Sequence, residues 1–247
     1  IIANLKKLNS WVRFIHFKLE GIESALHLVR KGAYMVNIDL ENSYYSLSVA
    51  PEDRKFLKVI CLGQIYEFVT LPMGYSQSAL VFCKLIKVPL AHLRQRYGMQ
   101  ISNFMDDIFQ TELSFQELRK FSILTIRLLI KLGYTINVPK SLLYPSTRKV
   151  NLGLVIDSMT MTVTLTKEKI EKFLDLANHI LEQENFPVRS LSSLVGQMNA
   201  ARHAAYWGPL HTKALEIAKN KVLLQQGYDF DAIMSISQFE KTDIQWW

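Results

Sequence analysis

Residues 99–109 set two adjacent carboxylates inside an otherwise apolar stretch: Met99, Ile101, Phe104 and Met105 precede Asp106 and Asp107, and Ile108 and Phe109 follow. The flanks have the composition of buried strands, yet neighbouring ionised carboxylates are costly to desolvate unless a cation or strong donors compensate them. A tight β-hairpin resolves the conflict by carrying both acids to its exposed tip. On this tetrapeptide alone an ordinary solvated turn is the simpler account, because Asp is a common turn residue. Asp39 alters the balance. It lies near the end of an alternating strand, after Tyr34, Val36 and Ile38, and is followed by Leu40-Glu41-Asn42-Ser43-Tyr44-Tyr45. Magnesium takes oxygen ligands, and a two-metal site needs carboxylates from separate chain segments. A strand-end Asp and a hairpin-tip Asp-Asp supply such a set. It suits phosphoryl transfer, where positioning and charge do most of the catalytic work.

The periodicity around these acids predicts an α+β chain. A short helix spans Gly21 to Arg30, a strand Ala33 to Leu40, and a hairpin joins Phe56–Cys61 to Ile65–Thr70 around Leu62-Gly63-Gln64. Ser76 to Arg96 is helical in pattern, with Pro89 expected to bend or divide it. Ser114 and Glu117 have capping-box spacing before an amphipathic helix that runs to Gly133. Val150–Ile156 and Met161–Leu165 read as a second hairpin. Helices are expected thereafter at Lys167–Leu181, Leu191–Ala204 and Pro209–Gln226. Residues 1–165 therefore form an α+β portion and residues 166–247 an all-helical appendage.

Composition narrows the classes. Nearly half of the 247 residues are hydrophobic and the net charge is +7, so a packed core is feasible and a polyanionic partner is favoured. Cys61 and Cys83 are far apart, form no Cys-x-x-Cys pair, and are expected to be buried thiols of a reducing compartment. No apolar run reaches transmembrane length and no charged-then-apolar leader opens the chain, so no membrane association is expected. The opening at Ile1 and the abrupt Trp246-Trp247 read as cuts through something larger.

Taken in order, the motifs resemble those of reverse transcriptases, most closely the DIRS-like and gypsy-like retrotransposon group. Asp39-Leu40-Glu41-Asn42-Ser43-Tyr44-Tyr45 resembles the first catalytic block of that family, and Pro51 to Phe56 a stretch that follows it. Tyr66 to Phe82, with Leu71-Pro72-Met73-Gly74-Tyr75-Ser76, resembles the block beneath template and incoming nucleotide. Phe104-Met105-Asp106-Asp107 stands for aromatic-x-Asp-Asp. Gly133 to Asn137 with Lys140-Ser141, and Asn151-Leu152-Gly153 to Asp157, resemble the fourth block and the primer-grip hairpin. Val195-Gly196 through Gly208-Pro209-Leu210-His211 and the closing Asp243 to Trp247 resemble the connection segment, beyond which an RNase H domain would begin. RNase H activity is accordingly expected to be absent from this chain.

The resemblance implies a right-hand polymerase palm, an antiparallel sheet with packed helices. Partial fingers would share residues 1–165 with it, and a helical thumb/connection would occupy residues 166–247. It implies two Mg2+ ions, with Mn2+ as a substitute, held by Asp39, Asp106, Asp107 and the Leu40 carbonyl. Tyr44 takes the place of a steric gate against the 2′-hydroxyl, with a core tyrosine as the plain alternative. Met73 and Gly74 would meet the incoming nucleotide, or simply make a turn. Lys140 would protonate the departing pyrophosphate, or lie on the surface. Leu152 and Gly153 would hold the primer, or be a strand leucine and a bulge glycine. Lys167, Lys169, Lys172, Arg189, Arg202, Lys213, Lys219 and Lys221 would meet an RNA or DNA template paired with a DNA primer, through sugar and phosphate. His203 and His211 have no metal-ligand spacing and are expected to pack or face phosphate.

Partners implied are template-primer and dNTPs, in the cytoplasm or nucleus. Three departures stand out. Asn42 replaces a frequent Asp, Leu80 replaces a frequent Pro, and the basic residues that clamp the triphosphate would fall before Ile1. The competing expectation is an inactive, nucleic-acid-binding descendant of the same fold.

Overall fold

Alternating side chains along Tyr34–Glu41 produce the strand β1, which organises the first part of the chain. The computed structural model describes residues 3–247. Two units are distinguished by their internal contacts: one runs to Lys149 and includes Ser158–Thr160, and the other comprises Val150–Asp157 and Met161–Trp247. The boundary thus falls within the strands, and most of the second expected hairpin groups with the helices.

In the first unit, helices α1 (Lys6–Asn9) and α2 (Ile22–Leu28) precede β1. After it come a hairpin of β2 (Lys58–Cys61) and β3 (Gln64–Glu67), helix α3 (Ser78–Tyr97), a hairpin of β4 (Gln100–Phe104) and β5 (Asp107–Glu112), helix α4 (Phe115–Lys131), and strands β6 (Thr135–Ile136) and β7 (Leu142–Ser146). The sheet order is β4-β5-β1, and the far edge of β1 is shared, β7 pairing at Met35–Asn37 and β6 at Leu40–Glu41. All of these pairings are antiparallel. Ile38 and Leu40 of β1 and Ile108 of β5 share one buried core with Phe82, Ile86, Leu90 and Leu93 of α3 and Leu129 of α4. Period two then directs Asn37 and Asp39 to the opposite face.

Pro89 does not divide α3. A proline inside a helix costs about 3 kcal/mol, but fully buried Ile86, Leu90 and Leu93 flank it, each contributing roughly 1.5–3 kcal/mol. The hydrogen bond it removes is that of the Leu85 carbonyl, on an exposed residue where water can reach it. At Ser114 half of the expected box forms: its Oγ accepts the Glu117 N–H at 3.3 Å, while the Glu117 carboxylate turns to Lys120 at 2.8 Å.

The second unit holds the three-stranded sheet β10-β9-β8, with β8 (Arg148–Asn151) crossing the boundary, β9 (Leu154–Asp157) and β10 (Thr162–Leu165). The expected strand Val150–Ile156 is therefore interrupted. Leu152 and Gly153 both have positive φ (48° and 76°), the signature of a two-residue type I′ turn, and are neither a strand leucine nor a bulge glycine. Helices α5 (Lys167–Glu182), α6 (Val188–Ala201) and α7 (Gly208–Gln225) follow the amphipathic pattern. Two further elements escaped the sequence reading: a short pair, β11 (Phe186–Pro187) with β12 (Ile233–Met234), and helix α8 (Gln238–Trp246), opened by a complete capping box at Ser237 and Glu240. His211 packs as expected, stacked on Trp246 at 4.1 Å with Nδ1 2.8 Å from Asp243 Oδ1. Among the described residues no helix is long and apolar enough to cross a membrane.

The two thiols differ from expectation. Cys83 is buried under the sheet, but Cys61 is exposed, because it ends β2 in a two-stranded hairpin that no layer covers at that residue among the described residues. In the native protein a thiol reagent should label Cys61 rapidly and Cys83 only after unfolding. Two fast-reacting thiols would contradict this packing.

Candidate active site

The register of β1 against β5 places Asp39 directly opposite Asp107. The rung is of the non-hydrogen-bonded kind, because the bond beyond it runs from the Leu40 N–H to the Asp106 carbonyl at 3.1 Å. In such rungs the Cα atoms approach to about 4.5 Å and the side chains are closest. Asp106 is the second residue of the two-residue turn closed by Phe104 and Asp107. Of the two turn residues only Met105 has positive φ, 54°, a value usually left to glycine. Strain of this kind costs about 1–3 kcal/mol and persists where the surroundings enforce it.

The other edge of Asp39 is also held. Its N–H donates to Ser141 Oγ at 3.0 Å, its carbonyl accepts the Asn137 N–H at 2.8 Å, and Ser141 Oγ donates to the Asn137 carbonyl at 2.7 Å. Sequence reasoning assigned Ser141 no part in holding the site, since no periodicity announces that a loop 102 residues away completes the edge of β1.

The electrostatics follow from this crowding. Burial raises the Asp107 carboxyl to a pKa of about 6, with Asp106 and Asp39 adding like-charge repulsion, an Asp39 hydrogen bond favouring the protonated form, and Lys140 opposing. Asp106 is raised for the same leading reason, burial, with repulsion from Asp39, while its own backbone and Lys140 oppose. The three carboxylates therefore act on one another, and the Lys140 charge acts on two of them. Burial also raises the Tyr44 hydroxyl, with Asp106 the next cause. Tyr44 sits in a 3-10 turn (Ser43–Ser46) entered through the left-handed Asn42, and its ring packs edge-on against Phe82 at 5.8 Å. It is partly buried, with its hydroxyl near enough to feel the Asp106 charge.

Met73 and Gly74 lie in the turn before α3, where Gly74 has φ 98°, a Cβ would meet the Ala3 carbonyl oxygen at 2.6 Å, and the Gly74 carbonyl accepts from Asn9 Nδ2 at 2.8 Å. That geometry alone requires glycine. Lys140 is exposed, its N–H directed to Asn137 Oδ1 at 3.4 Å. Leu152 and Gly153 belong to the second unit, where the Lys169 side chain occupies the space a Cβ at Gly153 would need. Several expected phosphate contacts have internal partners: Arg189 pairs with Asp231 through two hydrogen bonds of 3.0 and 3.1 Å, and Lys172 with Glu168 at 2.7 Å.

A hard divalent cation fits the carboxylate group chemically, since three oxygen-donor side chains crowded against their own charge gain from a positive ion. Among the described residues, no set of three or more His, Cys, Asp or Glu is gathered tightly enough to hold a metal unaided. Magnesium usually completes its shell with water, backbone carbonyls and phosphate oxygens.

The raised Asp107 carboxyl predicts a stability trade. Its folded pKa exceeds the unfolded value, so the group is without penalty below about pH 4. Stability is lost as pH rises toward the folded value of about 6. Asp107→Asn should therefore stabilise the cation-free protein at pH 7.5 by about 1–2 kcal/mol after solvent screening, or roughly 2–8 °C. The difference should vanish toward pH 4. Thermal melts of variant and wild type across this range check it, and a pH-independent difference would contradict it.

The profile of the family described as reverse transcriptase (RNA-dependent DNA polymerase) matches residues 1–156. Protein P of Heron hepatitis B virus is 24% identical over 161 residues, 65% of this chain and 20% of that protein. The Pro-Pol polyprotein of Simian foamy virus type 3 (strain LK3) is 24% identical over 141 residues, 57% of this chain and 12% of the polyprotein. The Transposon Tf2-3 polyprotein of Schizosaccharomyces pombe is 24% identical over 108 residues, 44% of this chain and 8% of the polyprotein. The chain spans a fifth or less of the length of these relatives. Among solved structures, the foamy viral protease-reverse transcriptase dRH in complex with ds DNA superposes with a TM-score of 0.78 at 20% identity, covering 99% of this chain and 39% of that one. The foamy viral protease-reverse transcriptase in complex with RNA/DNA hybrid gives 0.73 at 20% identity, covering 98% and 31%. The expected fold class, an antiparallel polymerase palm sheet with packed helices, is thereby borne out. This chain belongs to the reverse transcriptase (RNA-dependent DNA polymerase) family.

Proposed function

We propose that the chain carries template-directed DNA synthesis for a retroelement, transferring nucleotides from dNTPs to the 3′-hydroxyl of a DNA primer on an RNA or DNA template. The observation that carries this is the rung that sets Asp39 against Asp107 with Asp106 at the adjoining turn. Two distant segments of the chain thus deliver three carboxylates to one sheet end. Asp39 and Asp106 would be the principal ligands of two Mg2+ or Mn2+ ions, with Asp107 and the Leu40 carbonyl supporting. Bound there, the ions would supply Lewis acidity at the primer hydroxyl and charge neutralisation at the triphosphate.

In the reaction the 3′-oxygen bonds to the α-phosphorus, the bridging bond to the β-phosphate breaks, and pyrophosphate leaves. Lys140, whose charge already acts on Asp106 and Asp107, would donate the proton that the leaving pyrophosphate needs. Tyr44 would close the space beneath the sugar, and Met73 and Gly74 would meet the incoming nucleotide. The Leu152–Gly153 turn would hold the primer, residues 1–165 would serve as partial fingers and palm, and the basic helices of residues 166–247 as thumb and connection. Within the family we favour the DIRS-like/gypsy-like group, on the wording and order of the motifs. We place the reaction in the cytoplasm or nucleus, where such templates and dNTPs occur.

Primer extension in Mg2+ on an oligonucleotide template tests this directly. Asp106→Asn should lower extension at least about 1000-fold, since a lost charge-stabilising group typically costs 100- to 1000-fold and a ligand more. Equal extension by variant and wild type, or none by either, would overturn the assignment. Tyr44→Ala should leave dNTP incorporation within about tenfold while raising ribonucleotide incorporation by 100-fold or more. Unchanged sugar discrimination would remove Tyr44 from the gate.

A further inference from the structure

Among the described residues strand β4 is the outer edge of its sheet, so the backbone groups of Ile101 and Asn103 that face away from β5 meet no neighbouring strand there. Two side chains from distant positions take one group of each residue. Arg94 Nε, on α3, donates to the Ile101 carbonyl at 2.9 Å, and the Asn103 N–H donates to Glu20 Oε2 at 3.1 Å. The two side chains are also joined to each other, Arg94 Nη2 reaching Glu20 Oε2 at 3.4 Å, and Lys87 Nζ lies 3.9 Å from Glu20 Oε1. An acceptor and a donor two residues apart are thus satisfied as an adjoining strand would satisfy them. The pair does so on the last rungs before the catalytic turn. Asn103, 4% exposed, then extends its Nδ2 to the carbonyl of Met105 at 3.4 Å, the left-handed residue that precedes Asp106.

We propose that Glu20, with Arg94, is a positioning residue for nucleotidyl transfer: it braces the free edge of the β4–β5 hairpin and so holds Asp106 and Asp107 in register with Asp39. The inference rests on the polymerase function proposed above. Glu20 touches no reacting atom and acts only through Asn103 and the turn. The side chains of Glu20 and Arg94 are 24% and 33% exposed, so the brace is partly shielded from water and salt. An unbraced edge would let the hairpin tip shift, and a misplacement of about 1 Å at a catalytic group can cost roughly 100-fold in rate.

The test uses the full chain and two readouts. Glu20→Ala should lower kcat for primer extension about 10- to 100-fold with the dNTP KM within about threefold. It should also speed amide hydrogen exchange at Asn103 and Met105–Asp107 at least tenfold while leaving α4 unchanged. Glu20→Gln, which keeps an acceptor for the Asn103 N–H, should stay within about fivefold of wild type in both. Unchanged hairpin exchange in Glu20→Ala, or a rise spread equally over β1 and α4, would overturn the brace. If neither wild type nor Asp106→Asn extends a primer, the polymerase function fails, and the exchange data alone still decide the brace.

Discussion

Two carboxyl groups face each other across a closely spaced, non-hydrogen-bonded rung of an antiparallel sheet, and the first unit is organised around keeping them there. Asp39 and Asp107 would separate if their strands were free to slip, because carboxylates directly opposite one another destabilise a sheet. Slippage is prevented on both edges of β1. On one side six consecutive partners tie it to β5, and on the other Asn137 and Ser141 take both backbone groups of Asp39. A register shift by one residue would also turn Ile38 and Leu40 out of the core shared with α3 and α4. The hydrophobic layer on one face thus enforces the electrostatic conflict on the other.

The local costs gather at the same spot. A left-handed Met105, a carboxyl raised to about 6 and a partly buried tyrosine beside the acids all lie within the turn and its immediate neighbours. Each runs against what would make a stable hairpin, where Asn-Gly or Asp-Gly would serve better. The same chain uses favourable turn chemistry elsewhere. Leu62-Gly63 and Leu152-Gly153 both close two-residue turns with positive φ at both positions, and glycine relieves the second. Leu62 and Leu152 are left-handed like Met105, so what sets the aspartate turn apart is the lack of a glycine beside it and the carboxyls that burial raises.

The likeness to solved reverse transcriptases at 20% identity is one of fold. Such persistence is physically reasonable, because cores tolerate extensive apolar exchange when volume and patterning are kept. In the second unit the same principle operates with different elements: Phe173, Ile180, Leu191, Leu194 and Leu215 close a helical core through i, i+3 and i+4 spacing. Its exposed basic residues are partly engaged by carboxylates of their own unit, as Arg189 is by Asp231. Exposed pairs of this kind are worth only about 0–1 kcal/mol, so a polyanion can compete for them.

The elements that were legible from the amino-acid order are those governed by short-range periodicity: β1, the aspartate hairpin and the helices from Lys167 to Gln225. Patterning at spacings of two and 3.6 residues expresses burial along one element, and needs no knowledge of its neighbours. It also fixed that Asp106 and Asp107 sit at a hairpin tip. What it could not express were decisions made between elements. The rung between Asp39 and Asp107, the clamp by Ser141, the edge brace from Glu20 and Arg94, the exposure of Cys61 and the continuity of α3 through Pro89 all depend on which segments become neighbours. Those outcomes are set by long-range packing and by the demand that edge backbone groups find partners, which only the folded chain can satisfy.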